Sequence, residues 1–586
     1  KTVLESGLLK DAGDRYVLSG PLPPLAIPST LHDSLLARLD RLAPVREVAQ
    51  IGACIGREFG HELLAAVASL GDNELRDALA QLCASELVFC RGTLPEATYT
   101  FKHALVQDAA YRSLLRSRRQ QLHARIAEVL EESFPETAET APEVLAQHCA
   151  QARLVGKAVG YWLKAGELAI RRSATAEAIA QLKKGLELVK GLPDDRERAG
   201  LELELWTALG GALIAARGFG APEAGDAFAR ARELCRRLDR PPQLFPVLYG
   251  QYVFHIVRAE LDQSLKIAEE LRQAAQEQHE MAALVVGHRA VGNTLFHCGA
   301  LAQARAHLEQ AITLYDPEQH RSLAFLYVFD PFIASASFLS WTLFTLGHPE
   351  QARVRADAAL ARAHELGHPA SQAFALFFAG SILSQLAGNR QAVQERVEAL
   401  LALASEQGFA YWAGCATVIE GWLLADQGSA PEGVTRIRQG IAAYRATGAA
   451  HLDPYFLGLL AQARRRRGEL PEAEGTVAEA LDMARRTGEG YYEAELLRLR
   501  GELLLARHPP DPLTAEQCLV EALNTARQQQ ARMWELRAAA TLAQHRRDQG
   551  RTREARDLLA PVYGWFTEGF DTPDLRDAKA LLDGLR

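Results

Sequence analysis

The sequence predicts an all-α protein, a long array of helical hairpins preceded by a small domain that carries one β-hairpin. Three observations carry that expectation. From about residue 150 onward, small residues recur in a fixed frame about every 40 residues. Hydrophobic content is 48% but aromatic content only 7%, a balance that suits thin helical layers closing over Ala and Leu. The region before the array breaks the period and holds two short runs of aromatic and β-branched residues bounded by Gly and Pro.

At 586 residues the chain is too long for one ordinary core, so several domains or an array are required. The 65 basic and 73 acidic residues leave a net charge of −8, which gives no global field to gather nucleic acid or an anionic membrane. Neither is expected as a partner. The 8 cysteines, at 54, 83, 90, 149, 235, 298, 415 and 518, form no C-x-x-C pair and read as small apolar residues in a reducing compartment. No signal-peptide core or membrane-length apolar run is evident, so a cytoplasmic location is expected.

Taken in order, residues 1–28 open without Met in a helix-like stretch and read as the end of an upstream module or a linker. Residues 29–135 give four helices, "STLHDSLLARLDRL", "PVREVAQIGACIG", "FGHELLAAVAS" and "DNELRDALAQLCAS", then a hairpin of "ELVFCRG" and "TYTFK". Helices followed by a two-stranded wing and a further helix predict a winged-helix-like domain. The helix just before the wing would be the DNA reader, but it holds Arg76 alone against Asp72, Glu74 and Asp77, so DNA binding is not expected.

The stretch Tyr99–Glu131 follows. Leu115, Leu122, Ile126 and Val129 fall at helical spacing and predict a buried face. That leaves Arg112, Arg116, Arg118, Arg119 and Arg125 on a solvated side, with His123 packed or hydrogen-bonded within the helix. His103 stands at a strand-to-helix corner.

Residues 136–586 carry the array. Each unit places a small residue, another 12 further on and a third 7 beyond that: Gly292, Ala304 and Ala311; Ser340, Ala352 and Ala359; Gly380, Ala392 and Ala399; Ala461, Ala473 and Ala480. Gly166 with Ala178, Ala543 with Ala555 and, after a two-residue insertion at "HPPDP", Gly501 with Ala515 continue the frame, so about ten units fit. Two antiparallel helices can cross closely only where side chains are small. Turns such as "LGHPEQA" and "RGELPEA" stop the first helix with Gly and open the second with Pro and acidic residues.

This frame resembles the tetratricopeptide repeat in a lengthened form. The stretches "IPSTLHDSLLARLDRL", "IGACIGREF" and "FKHALVQDAAYRSLLRSRRQQLHARIAEVLE", with the closing "WELRAAATLAQHRRDQGRTREARDLLAPVYGWF", resemble the C-terminal region of bacterial STAND-type ATPases joined to a class III adenylate or guanylate cyclase domain. The resemblance implies a non-catalytic sensor region. It would bind a protein or small inducer in the superhelix groove and act on an upstream ATPase module, with ATP or ADP and Mg belonging to missing upstream domains. No cofactor or metal is expected in these 586 residues, because no phosphate loop or paired metal carboxylates occur. The resemblance also implies that His103 reaches the β-phosphate of bound ADP. Here Phe101, Lys102 and His103 occupy that motif without a following acid, and a capping or packing corner histidine is the other reading. A maltose-regulator-like transcription factor lacking its DNA-binding end, or a free-standing scaffold, are the alternative functions.

Other features read as structural. The run Arg464–Arg467 fits a helix C-terminus, and "GFGAPEAG" from Gly218 to Gly225 follows no strand and reads as a lengthened turn. Of the seven dispersed tryptophans, most are expected to wedge the core and some to line a groove.

Overall fold

The computed structural model describes residues 9–11, 16–18, 43–172, 174–239 and 241–585. The chain divides into two compact units, Lys1–Leu168 with Lys184–Pro193, and Ala169–Lys183 with Asp194–Arg586.

In the first unit, β1 (Leu9–Asp11) and β2 (Tyr16–Leu18) pair antiparallel, where the sequence reads as a helix-like linker. Most of residues 1–28 and the helix expected over 29–42 lie outside the described residues. Helix Ala43–Ile55 leads into β3 (Glu58–Gly60), helix His61–Val67 and helix Asp72–Ala84, then β4 (Val88–Arg91) and β5 (Thr98–Phe101). The strands form one antiparallel sheet in the order β3-β5-β4, with Val88 opposite Phe101 and Glu58 opposite Thr100. Expected as part of a helix, "FG" before His61 is instead the strand that completes this sheet. Phe59 packs there against Tyr99 and Phe101, with ring centroids at 5.8 and 5.5 Å. Burying an aromatic against two others outweighs the single extra helical turn those residues could make.

Helices Ala104–Arg112 and Arg116–Ser133 follow. Leu122, Ile126 and Val129 are buried, but Leu115 is 78% exposed. It sits at the N-cap of its helix with extended backbone, so the bend that separates the two helices buries Leu114 in its place. The compact unit continues through helices Pro142–Gln151 and Val155–Arg171 as far as Leu168.

The second unit is a succession of helical hairpins, among them Met281–His297 with Leu301–Leu314, Pro331–Thr345 with Pro349–Leu366, and Asp453–Arg467 with Leu470–Thr487. Proline in the first turn opens many second helices, as at Pro349 and Pro512, where its missing N–H costs nothing. Left-handed glycines such as Gly367, Gly408 and Gly488 close them. The small residues Ala304, Ala311, Ser340, Ala352, Ala359, Ala461, Ala473, Ala480, Ala515, Ala543 and Ala555 are all fully buried. A Cβ on Gly292 would come within 2.8 Å of Leu308 and 3.2 Å of the Ala304 carbonyl, and one on Gly501 within 2.7 Å of Leu519 and 3.3 Å of the Ala515 carbonyl. Gly166 and Ala178 are buried as well.

One unit departs from the frame. Ala392 is half-buried and Ala399 exposed, whereas Val393, Val397, Leu400 and Ala404 are buried. The frame there is one residue later than the small residues indicate. The first helix of this hairpin contains a π-helical turn, Leu376–Ile382, and a Cβ on Gly380 would meet the Arg396 side chain first, at 3.2 Å. The helices approach less closely, so Val and Leu fill the contact that alanine fills elsewhere.

Hairpins far apart in sequence also touch. Val257 O accepts from Ala450 N at 2.8 Å, His297 O from Gly490 N at 2.8 Å, and Leu386 O from Arg537 at 2.9 Å. A Cβ on Gly220 would lie 2.2 Å from Gly448 O. The partners of Val257, His297 and Gly220 stand about five hairpins away and that of Leu386 about four, so the array coils once in roughly five units and its successive turns rest on each other. Between the turns Phe296 stacks on Tyr491 at 5.2 Å and Trp341 meets Tyr455 at 5.5 Å. Part of the axis is therefore packed core.

Candidate functional site: a charged cleft between the coil's helices

Where the axis is open, in the second unit, a cleft of about 630 Å³ remains. Its walls come mainly from the first helices of three hairpins, Asp453–Arg467, Glu493–Ala506 and Arg532–Asp548, with Pro573–Asp583, Trp422 of helix Ala410–Asp426 and the segment around Gln385 and Gly388 completing the sides. The repeat frame explains which side chains reach it. Residues one after the first anchor of each unit point inward, as Trp422, Gln462 and Glu502 do, and Arg498, one helical turn before Glu502, shares their face.

Charge in the cleft is dense and paired. Glu495, 2% exposed, receives Arg498 Nη2 at 2.7 Å and Nε at 2.8 Å. Arg498 and Arg465 also pair with Glu502. Arg537 makes a two-pronged contact with Asp574 at 2.8 and 2.9 Å and lies over the Trp534 ring at 4.9 Å. Burial disfavours the Glu495 carboxylate, yet Arg498 and Arg537 more than offset this and hold its pKa below the ordinary value. Burial likewise lowers the Arg466 pKa, partly countered by Asp426. Trp422 Nε1 donates to Gln462 at 3.3 Å and the Tyr455 hydroxyl to Gln385 at 2.9 Å. The surface thus offers guanidinium donors, carboxylate acceptors and amides side by side, around an indole and a phenol.

The arginine run expected to be a solvated helix end is divided. Arg464 bonds back to the Glu472 carbonyl at 3.1 Å and Arg467 pairs with Glu469, while Arg465 and Arg466 line the cleft. The turn Gly218–Gly225 docks on Thr447 and Gly448 of a distant hairpin.

In the first unit His103 is exposed at the N-cap of helix Ala104–Arg112, and its side chain makes no capping bond. His123 was expected to pack or bond within its helix. It is buried, 3.0 Å from the Tyr111 hydroxyl and 2.9 Å from His148, ring nitrogen to ring nitrogen. Burial pushes both imidazoles down to about 4, with Arg119 adding to the effect on His123. Sequence reasoning overlooked His148 because it lies two helices further on. Arg119 covers the Tyr111 ring at 5.1 Å, Arg118 pairs with Glu47 and Arg125 with Glu128.

Of the cysteines, Cys54, Cys149, Cys235, Cys415 and Cys518 are buried, Cys83 and Cys298 partly so, and Cys90 on β4 is exposed; all are free thiols. Helix Arg196–Arg217 is long and apolar enough to cross a membrane, but Leu203, Leu205, Leu209 and Leu213 on it are buried within the protein. Among the described residues no group of His, Cys, Asp and Glu is arranged to hold a metal ion.

No protein-family model matches this chain. An uncharacterized protein of Rhizobium meliloti (strain 1021) is 26% identical over 505 residues, covering 84% of this chain and 48% of its own length. The chain spans about half the length of the curated relative it matches. Solved structures that align with it include a Rap protein complexed with competence and sporulation factor, at 13% identity and TM-score 0.47 over 64% of this chain and 99% of that one. A STAND protein with a tetratricopeptide repeat sensor from Pyrococcus horikoshii aligns at 11% identity and TM-score 0.32 over 73% of this chain and 66% of that one. The Cut9–Hcn1 assembly of the APC/C aligns at 14% identity and TM-score 0.41, over 82% of each chain.

Proposed function

We propose that this chain is the non-catalytic, partner-binding region of a larger signalling protein, and that the charged cleft takes an extended peptide segment of a protein partner. The cleft is the observation that carries the reading. Its volume of about 630 Å³ lies in the range of ligand-binding sites. Its lining alternates donors and acceptors, as an extended backbone with polar side chains does, and it offers little to a purely apolar ligand. The pairing of Arg498 and Arg537 with acids holds those guanidiniums in fixed orientations, so less conformational freedom is lost on binding.

The residue-level resemblance described above supplies the context. In that reading the domain containing β3, β4 and β5 is a winged helix that couples the array to an upstream STAND ATPase using ATP or ADP with Mg, which in turn governs a nucleotidyl cyclase in the cytoplasm. The exposed His103 is free to meet a nucleotide held by such a module.

The test is selection of binders from a random peptide library on the purified 586-residue chain, followed by titration against variants. Selected peptides should lose on the order of tenfold or more in affinity on Arg465→Glu, which reverses a cleft charge, and be unaffected by Arg553→Ala on an exposed helix face. Equal binding to wild type and Arg465→Glu would place recognition elsewhere.

A further inference from the structure

A second, smaller cavity of about 40 Å³ lies in the second unit, away from the charged cleft, and its chemistry is different. Phe338, Phe378, Tyr411 and Trp412 wall it, and Arg289 and Asn293 enter from helix Met281–His297. The two are one helical turn apart on the same face.

Arg289 is only 4% exposed. Its guanidinium lies over the rings of Tyr249 and Tyr252, at 5.4 and 5.7 Å, and donates from Nη1 to the Tyr249 hydroxyl at 2.8 Å. Nε has no partner. Among the described residues no carboxylate bears on it; the groups against it are the phenols of Tyr249 and Tyr252, which carry no charge at neutral pH. Asn293, 5% exposed, bonds the Tyr252 hydroxyl through its amide at 2.8 Å and leaves the other amide atom without a partner. With the amide reversed, the phenol donates to Oδ1 and the free atom becomes an N–H donor.

A buried cation normally sits against an anion, because aromatic faces return only part of what its hydration is worth. Arg289 has the faces and lacks the anion. From the guanidinium that lacks an anion, the free amide and the aromatic walls around one small cavity, we infer that this cavity is a binding site for a small free monocarboxylate of two or three carbons. The carboxylate would accept from Arg289 and Asn293, a pairing that the planar guanidinium favours, and its short hydrocarbon end would contact the rings. Since a water needs roughly 10–15 Å³ of such space, about 40 Å³ admits only a few heavy atoms. Nucleotides and peptides are too large. This inference is independent of the peptide reading of the cleft.

The experiment is calorimetric and thermal-shift titration of the 586-residue chain with sodium acetate and propionate, with acetamide as the neutral isostere and sodium chloride as the ionic-strength control. Acetate and propionate should bind saturably and raise the melting temperature, while acetamide and chloride at equal concentration should not. Arg289→Met, which keeps the bulk and removes the charge, should weaken acetate binding on the order of tenfold or more. Asn293→Asp, which supplies the missing anion from within, should do the same while remaining folded, so the outcome stands even if the methionine variant is unstable. An acetate response no larger than that of chloride or acetamide, or one retained in folded Asn293→Asp, would overturn the assignment.

Discussion

His451 donates its backbone amide to the carbonyl of Val257 at 3.2 Å, and its imidazole Nδ1 lies equally close to the same oxygen, 194 residues away in sequence. An array in which each unit touched only its neighbours could not make this contact. Gly220 and Gly448 meet beside it, with room for no side chain. Gly220→Val should therefore separate the turns and cost about 1–3 kcal/mol from overpacking. Hydrogen exchange should show the Val257–Ala450 region opening first; protection unchanged there would mean that the turns do not support one another.

The packing frame separates two alanines that look alike in sequence. Ala352 is fully buried between helices and Ala399 is exposed. Ala352→Leu should lower stability by about 1–3 kcal/mol, and Ala399→Leu should stay within about 0.5 kcal/mol of wild type. Urea unfolding of the two variants measures both, and equal losses would contradict the frame.

The buried pair His123 and His148 predicts a pH dependence. Both pKa values lie near 4 in the folded chain, below the ordinary 6.5 of an unfolded histidine. Above pH 6.5 neither state binds the proton, and stability is flat. Between 6.5 and 4 the unfolded chain takes up protons that the folded chain refuses, so stability falls as pH drops and levels off below about 4. His148→Asn should shallow that slope by an amount on the order of 1–3 kcal/mol across the window. A slope identical to wild type would show that the pair is not held neutral.

Removing one member of the cleft's ion-pair network should be costly. Arg498→Ala strips Glu495 of its two shortest hydrogen bonds and leaves a buried carboxylate with Arg537 at 3.6 Å. A loss of about 3 kcal/mol is expected, read by chemical denaturation at pH 7. Glu495 should then titrate at a higher pH, so the deficit should shrink on acidification.

His103 has an exposed side chain and no capping bond. His103→Ala should leave the melting temperature of the chain unchanged within about 0.5 kcal/mol of stability. In a protein extended to include an upstream ATPase, the same change should weaken ADP affinity. Unaltered ADP binding there would remove the nucleotide-sensing role.

Much of the repeat architecture was legible because close helix crossing leaves a direct mark in sequence: only small side chains fit, as at Gly292 and Ala304. The mark misled at Ala392 and Ala399, where a π turn relaxes the approach and larger residues take the contact. Leu115 misled for a local reason, since helical spacing was carried across a bend that the sequence does not announce. A groove with tryptophan in its lining was expected, and Trp422 lines the cleft, but its charged lining was not read. Arg498 and Glu502 look like an ordinary solvated pair one helical turn apart, and only the coiling that brings helix Pro573–Asp583 beside them makes an enclosed wall. The frame did hold the necessary signal, because Asn293, Trp341, Trp422, Gln462 and Glu502 each follow a first anchor by one residue.

The contacts between turns also limit how such a chain can change in length. In an open solenoid one hairpin can be duplicated or deleted at the expense of a single new junction. Here, adding one hairpin between Leu386 and Ala450 would rotate every later unit by about a fifth of a turn, and Val257, His297 and Leu386 would face the wrong partners together. Only the gain or loss of a whole circuit keeps those pairs in phase. The number of hairpins between them behaves like the tooth count of a gear, fixed by what it must mesh with.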